Sequence, residues 1–187
     1  MKKQLKDYTD IELISIIRKH KQQRSFAFSE LYDRHSVNVR NFIYYMIQNS
    51  EQSEDIFQET FITFFNNIVA GKEIQNTKPY LLSIARNLCL KYYRDKKITV
   101  PLDRTMFVVD ERNQYENNEM FSLIVKALQL LDEKYREAFI MREFEGMPYN
   151  EIAKVCDTSV TNAKSRVFRA HKKLIKILEP YLKDVAK

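Results

Sequence analysis

The sequence predicts an all-helical protein built from two small domains, and three observations support this prediction. Only two glycines and four prolines occur among the 187 residues, and all six stand where helices should begin or end. Apolar residues recur at steps of three and four over long stretches, which is the period of a helix buried on one face. This period is absent from residues 96–117. We therefore interpret that stretch as a flexible linker between a domain at 1–95 and a domain at 118–187.

The composition narrows the range of functions. A net charge of +6 favours a polyanionic partner. Cys89 and Cys156 are too few and too far apart for a disulfide framework or a zinc cluster, and the histidines are scattered. We therefore expect no metal, no cofactor, no catalytic group and hence no enzyme. No apolar run is long enough to insert in a membrane, and the start lacks the apolar core of a signal peptide, so we expect a cytoplasmic protein.

The first domain is predicted to hold four helices around one aromatic-rich core. A capping box formed by Thr9 and Glu12 marks the first start. Pro79 suits the first turn of the fourth helix, where its missing N–H is no loss. The four predicted helices cover about 9–20, 25–48, 53–70 and 77–95. In the second domain, helices are predicted to begin near Met120 and to run from Glu133 to Phe144, with Gly146 as a stop signal.

Residues 148–178 are the most informative stretch, because they predict a helix-turn-helix that ends in a long basic helix. Pro148 suits the first turn of the first helix. A break follows at Asp157 and Thr158, and Ser159 can cap the second helix. One face of that helix is apolar and the other is cationic, a combination that fits the major groove of DNA. The apolar residues are Ala163, Val167, Ala170, Leu174 and Ile177, and the cations are Lys164, Arg166, Arg169, Lys172, Lys173 and Lys176.

The basic helix has two other interpretations. A cationic face is often merely solvated. A basic amphipathic helix can also lie on an anionic membrane or bind calmodulin. The paired helices, the small Ala153 where they must cross, and the unbroken cationic face favour DNA. The apolar side has no tryptophan and is partly alanine, so its burial in a membrane would be weak.

The third predicted helix carries an acidic ridge opposite its apolar face. The ridge consists of Asp55, Gln58, Glu59 and Ile62, and the acids Glu51 and Glu54 join it just upstream. No lysine or arginine occurs between Arg40 and Lys72, so we expect these acids to be unpaired. On a basic protein such a ridge suggests a docking surface for a basic protein partner. A solubilising face with acids near a helix N-terminus is an equal alternative.

The fourth predicted helix has the opposite character. Off its apolar stripe it carries rings, an amide and cations, namely Tyr80, Arg86, Asn87, Lys91, Tyr93 and Arg94. Rings stack on unpaired bases, an amide reads a base edge, and cations follow phosphates. Each residue alone is an ordinary surface residue. Beside a helix-turn-helix on the same chain, they predict binding of single-stranded nucleic acid.

The order and spacing of these motifs resemble a bacterial sigma factor of the extracytoplasmic-function type, in the sigma-70 family, over nearly the whole chain. Asp55, Gln58 and Glu59 lie in a segment similar to the helix that binds the polymerase clamp. Residues 80–88 resemble the element that melts the minus-ten region, with Asn87 at the base-contacting position, and 71–78 resemble its specificity loop. Residues 131–170 resemble region four, which reads the minus-thirty-five element. Asp132 replaces a usual proline, and Asp157 replaces the commoner glycine of the turn.

The resemblance implies a promoter-specificity subunit with three kinds of partner. Core RNA polymerase would bind the acidic ridge, promoter DNA would be bound both as duplex and as the melted non-template strand, and an anti-sigma factor would hold the protein inactive. The minus-ten residues would be Tyr80, Arg86, Asn87, Lys91 and Arg94. The minus-thirty-five residues would be Ser159, Thr161, Asn162, Lys164, Ser165, Arg166, Arg169 and Lys173.

Two other functions compete with this one. Residues 120–178 alone would allow a transcriptional regulator whose first domain senses a ligand or pairs subunits. The helix-turn-helix resembles that of response regulators. The first domain, however, lacks the alternating strands and the phospho-acceptor pocket of a response-regulator receiver domain. A helical adaptor that binds no DNA would leave the basic recognition face unexplained.

Overall fold

The computed structural model describes residues 5–97 and 119–185, which we call the first half and the second half. Within these ranges all regular structure is helical, which confirms the predicted fold class. No helix in the described ranges is long and apolar enough to cross a membrane. The helices there are α1 (Asp10–Lys19), α2 (Arg24–Ile47), α3 (Ser50–Val69), α4 (Thr77–Lys97), α5 (Glu119–Leu128), α6 (Glu133–Phe139), α7 (Tyr149–Val155) and α8 (Val160–Val185). The predicted linker lies outside the described residues, except for its first two positions, which belong to α4.

The helices α1 to α4 enclose the predicted aromatic-rich core. The capping box starts α1, since the Thr9 hydroxyl accepts from the Glu12 N–H at 3.3 Å and the Glu12 carboxylate accepts from the Thr9 N–H at 2.6 Å. Arg34 of α2 donates to Asp10 at 2.9 Å and ties the start of α1 to the bundle. The largest fully buried side chains of this half are Leu13, Ile17, Leu31, Phe42, Ile43, Met46, Phe64, Ile68, Leu81 and Leu82.

Three predicted helix boundaries need correction. α3 begins at Ser50 rather than near Ser53, because the Asn49 side chain caps it by accepting from Gln52 N–H at 2.9 Å. Pro148 stands at the N-cap of α7 rather than inside its first turn. Pro180 lies within α8 and ends no helix, so not every proline marks a boundary.

In the second half, α6 leads into a π-helical turn, Ile140–Phe144, where one uninterrupted α-helix was predicted. The Glu145 N–H donates to the Ile140 carbonyl at 3.1 Å, a bond to the fifth residue back. The wider turn accompanies the packing of the Phe144 ring against Tyr45 of α2, with ring centroids 4.7 Å apart. Such turns are rare in proteins as a whole, and many of those that occur lie at functional sites.

The predicted helix-turn-helix is formed by α7 and α8. Asp157 adopts the left-handed conformation, with φ of 47°, which confirms that aspartate can replace the expected glycine. Thr158 N–H donates to the Ala153 carbonyl at 2.9 Å and closes the end of α7. The Ser159 hydroxyl caps α8 by accepting from Asn162 N–H at 3.1 Å. The apolar stripe of α8 faces inward as predicted, with Ala163, Val167, Ala170 and Leu174 buried and Ile177 half-buried.

The two halves are in direct contact, and a buried arginine joins them. Arg136 is 5% exposed, and its guanidinium donates to the Met46 carbonyl at 2.9 Å and to the Tyr93 hydroxyl at 2.6 Å, both in the first half. It also donates to the carbonyl of Leu128, the last residue of α5, and to those of Gln129 and Leu131 in the turn that follows. One cation therefore neutralises the C-terminal ends of α2 and α5.

Candidate polymerase and nucleic-acid interfaces

The acidic ridge of α3 is exposed. Asp55, Gln58, Glu59 and Ile62 all lie on the solvent side, and Ile62 is 60% exposed. Opposite them the apolar face of α3 packs Phe57, Phe61 and Phe64 into the core. The ridge thus combines two carboxylates, an amide and an exposed apolar side chain on one accessible face.

A cation from α2 reaches α3, which corrects the expectation that nothing neutralises its acids. Arg40 forms an ion pair with Glu54, and its guanidinium lies 4.0 Å from the Phe57 ring centroid. The hydrogen bond from Arg40 lowers the pKa of Glu54 below its ordinary value. Arg40 is distant from Glu54 in the sequence, but the packing of α2 against α3 brings the two side chains together. Within the described residues, no ion pair forms with Asp55 or Glu59.

A cleft of about 320 Å³ lies between α3 and α4. Clefts of this size hold small ligands, and this one has polar groups among its apolar walls. Asn87 is exposed at the cleft, and Tyr80 stands within it with its ring 6.2 Å from that of Phe64. The lining residues are Thr63, Asn67, Lys72, Tyr80, Ser83, Ile84, Asn87 and Leu88. The structure therefore brings together a ring and an amide of the predicted minus-ten set.

The three cations of the minus-ten set differ in their surroundings. Lys91 and Arg94 are exposed. Arg86 instead forms a two-point ion pair with Glu137 of α6, at 2.7 Å and 3.0 Å. Burial disfavours the charged form of Arg86, but the hydrogen bonds and charge of Glu137 outweigh it, so the pKa of Arg86 is raised. In this arrangement Arg86 is held by the second half of the chain. The Tyr93 ring, predicted on the same exposed side, instead packs against the core, and its hydroxyl accepts from Arg136 at 2.6 Å.

The outer face of α8 presents most of the predicted minus-thirty-five residues to solvent. Ser159, Thr161, Asn162, Lys164, Arg169 and Lys173 are exposed, and Ser165 is half-buried. Lys173 pairs with Asp132 at 2.9 Å, and Arg169 lowers the pKa of the Tyr135 hydroxyl below its ordinary value. The face is accessible, although some of its cations have partners on α6.

Arg166 departs from the predicted cationic face, because it turns toward the interior. Its side chain is 25% exposed, and its guanidinium pairs with Glu137 at 3.2 Å. Glu137 itself is 1% exposed. The same carboxylate therefore holds Arg86 of α4 and Arg166 of α8, and no local pattern in the sequence could have predicted this.

Sequence reasoning also missed an exposed ring on the outer face of α8. Phe168 is 59% exposed, and the Lys172 ammonium lies 4.7 Å from its ring centroid. Phe168 lies off the apolar stripe of α8. This position in the sequence could have predicted that its ring is exposed. Apolar side chains in a major groove contact the methyl group of thymine.

Two family models match the chain. Residues 31–98 match sigma-70 region 2, and residues 121–174 match sigma-70 region 4. The ECF RNA polymerase sigma factor SigM of Bacillus subtilis (strain 168) is 27% identical over 152 residues, which cover 79% of this chain and 93% of that protein. The RNA polymerase sigma factor CarQ of Myxococcus xanthus is 26% identical over 166 residues, which cover 86% of this chain and 94% of that protein.

Solved structures share the fold. The sigma factor RpoE of Bartonella quintana, in complex with the anti-sigma factor NepR, superposes with a TM-score of 0.70 at 24% identity and covers 81% of this chain and 96% of that one. CnrH, in complex with the cytosolic domain of CnrY, superposes with a TM-score of 0.69 at 21% identity and covers 91% of this chain and 97% of that one.

Region 2 covers the α3–α4 surface, and region 4 covers the helix-turn-helix of α7 and α8. The matched relatives are sigma factors as well. The chain belongs to the sigma-70 family, as a sigma factor of the extracytoplasmic-function type. Proteins of this class are promoter-recognition subunits of RNA polymerase, and this is the function of the chain.

Proposed function

We propose that the chain divides promoter recognition among three surfaces of its own. The acidic ridge of α3 binds core RNA polymerase, the exposed side of α4 captures the melted minus-ten strand, and the outer face of α8 reads the minus-thirty-five duplex. The boundaries we propose are 1–95 for the first domain, 96–117 for the linker and 118–187 for the second domain. In this scheme the chain contributes binding and no catalytic group.

The observation that carries the minus-ten assignment is the cleft between α3 and α4. A base pulled from the stack needs a pocket that offers a ring to stack on and a group that reads its edge. Tyr80 supplies a ring in the cleft, and Asn87 supplies an amide with both a donor and an acceptor. Lys91 and Arg94 are exposed on the same helix and suit the phosphates of that strand.

Arg86 can contact minus-ten DNA only after its ion pair with Glu137 is broken. Its two-point bond to a carboxylate has the geometry that arginine uses for phosphate. We propose that a DNA phosphate replaces Glu137 as its partner in the open complex.

On α8, base edges are read by the exposed residues near its start. Thr161, Asn162, Lys164, Ser165 and Arg169 are the readers we propose, and Lys173 contacts a phosphate farther along the helix. Ser159 caps α8 with its oxygen, so its O–H is able to donate to a phosphate. Arg166 uses its Nη1 for Glu137, and a guanidinium has five N–H donors, so others can reach the DNA.

An anti-sigma factor is the regulatory partner we propose. Both superposed structures are complexes, one with the anti-sigma factor NepR and one with the cytosolic domain of CnrY. We also propose the cytoplasm as the location of the chain, because its polymerase and promoter partners are there.

Reversal of the ridge charges tests the polymerase assignment. Asp55→Lys combined with Glu59→Lys should abolish co-migration with core RNA polymerase, because both carboxylates are exposed and would meet a basic partner. The double reversal Asp33→Lys with Glu73→Lys is the matched control, since both positions are exposed and lie off α3. Equal co-migration of the two double variants would reject the ridge as the docking surface. Specific run-off transcripts from the wild-type holoenzyme test the function as a whole.

A further inference from the structure

Carboxylates of the second half hold the promoter-melting side of the first half. Glu137 binds Arg86 of α4 at two points, and Glu145 binds the Lys78 ammonium at 3.0 Å. The side chains of Glu137 and Glu145 are 1% and 2% exposed. Glu151 accepts from the Asn76 amide at 2.9 Å, in the loop that leads into α4. We name Glu137, Glu145 and Glu151 the latch carboxylates.

The latch joins the two DNA-reading helices of the chain. Arg86 of α4 and Arg166 of α8 share the single carboxylate of Glu137. The minus-ten and minus-thirty-five elements are roughly 25 base pairs apart, or roughly 85 Å at about 3.4 Å per base pair. Two helices that share a carboxylate cannot read both elements at once. The closed arrangement must therefore open before the chain can bind a promoter with both halves.

We propose that the latch carboxylates act as internal substitutes for DNA phosphates and hold the chain in a self-inhibited, closed state. This inference rests on the proposed minus-ten role of α4. In the closed state the latch masks Arg86 and Lys78, and it immobilises the loop before α4 through Asn76. Opening exchanges each carboxylate for a phosphate or for water, so the inhibition is reversible and needs no other protein.

Glu145 is the latch residue best suited to a test, because its side-chain bonds cross the interface. Besides Lys78, it accepts from the Asn38 amide of α2 at 2.8 Å. Glu137, in contrast, also pairs with Arg166 within the second half, so its replacement would disturb the recognition helix. Glu143 is a matched control, since it lies two residues away and pairs with His171 of its own half at 3.0 Å.

The experiment compares the full-length wild type with Glu145→Gln and Glu143→Gln, which change the net charge equally. Small-angle X-ray scattering of each chain alone should show a larger radius of gyration for Glu145→Gln only. Fluorescence anisotropy with a labelled single-stranded oligonucleotide of degenerate sequence should show Glu145→Gln binding about threefold or more tighter than Glu143→Gln, because affinity rises with the open fraction.

A second variant opens the latch from the other side and protects the test against a folding failure. Asn38→Asp places a like charge against Glu145 and lies outside the DNA-binding residues, so it should reproduce both effects. Circular dichroism establishes that each variant is folded.

Equal radii of gyration for the wild type and both latch variants would overturn the latch. An expanded chain that binds the oligonucleotide no better than Glu143→Gln would overturn the masking of α4. If no protein, wild type included, binds the oligonucleotide, the proposed minus-ten role fails and the masking fails with it. The scattering result distinguishes that failure from a failure of the latch alone.

Discussion

Asn87 is the single residue on which base reading depends in our proposal, because its amide can both donate and accept at a base edge. It is exposed at a cleft that also holds Tyr80, whereas the neighbouring cations Lys91 and Arg94 carry charge without a directional pattern. A charge attracts every phosphate alike, while an amide distinguishes one base edge from another. The roles of Asn87 and Lys91 are therefore separable by experiment.

We expect Asn87→Ala to reduce open-complex formation most strongly for one base identity at the captured position. Lys91→Ala should reduce it for all promoter variants alike. Permanganate footprinting with holoenzyme, on promoters varied at each minus-ten base, measures both effects. Core binding and upstream duplex binding should be unchanged in Asn87→Ala, since the residue lies on neither surface. Wild-type opening of every promoter by Asn87→Ala would show that another residue reads the base.

Asp10 is a second informative residue, because its charge contributes to stability in a defined pH range. The His35 ring nitrogen, 2.6 Å from its carboxylate, and Arg34 lower the pKa of Asp10 from 3.8 to about 2. A pKa lowered by folding stabilises the protein above the unfolded value, and that stability is lost as the pH falls from about 4 to about 2.

Asp10→Asn should therefore lower the free energy of unfolding at pH 7 by about 1–2 kcal/mol, a value reduced for solvent screening. The difference from wild type should shrink below about pH 4. Urea denaturation followed by circular dichroism at several pH values measures it. Asp33→Asn, at an exposed position of α2, removes the same charge and serves as the control. A constant difference down to pH 2 would contradict the assigned titration.

At the level of elements, α8 has two sides with different tasks. Its inner side packs Ala163, Val167 and Ala170 against the rest of the second half, and its outer side is cationic. Arg166 stands between the two sides because Glu137 draws it inward. Arg166→Ala would thus weaken the helix-turn-helix as well as DNA binding, so Arg169 and Lys173 are the cleaner probes of groove contact.

We expect Arg169→Ala to weaken minus-thirty-five binding by about 1–3 kcal/mol and to relax selectivity at one base, if its guanidinium reads a guanine. Lys173→Ala should weaken binding uniformly and reduce the salt dependence by about one counterion, because it neutralises a phosphate. Gel-shift titrations on base-substituted duplexes at several salt concentrations separate these outcomes. Unchanged affinity in both variants would reject the groove-facing orientation of α8.

At the level of the whole molecule, Arg136 joins the two halves through hydrogen bonds that no predicted motif includes. Its guanidinium is buried and donates to two groups of the first half and to three carbonyls in the last residue of α5 and the turn that follows. Each hydrogen bond from a charged group is worth about 1.5–3 kcal/mol, and the unpaired carbonyls would remain buried after its removal.

Arg136→Met should lower the free energy of unfolding by about 3 kcal/mol or more, since several of these bonds are lost together. Lys134→Met, at an exposed position two residues away, should have little effect. Urea denaturation of both variants measures the difference. Equal midpoints for the two would show that the Arg136 bonds do not stabilise the closed molecule.

The sequence by itself determined the helices, because their signals are local. The period of apolar residues, the capping box at Thr9, the cap at Ser159 and the left-handed Asp157 all act within one or two turns, and each was confirmed. The apolar stripe of α8 was predicted for the same reason. The residues of the three candidate surfaces were also named from local patterns, and their roles stay predictions until the experiments above are done.

Only the tertiary structure decided which charges are free and which are paired. Arg40 meets Glu54 from another helix, Arg86 meets Glu137 across 51 residues, and Lys78 meets Glu145 across 67. Ion pairs depend on distance in space, which neighbours in sequence do not reveal once helices fold back on one another. The sharing of the Glu137 carboxylate by Arg86 of α4 and Arg166 of α8 follows from that packing, and no periodicity or motif within either half encodes it.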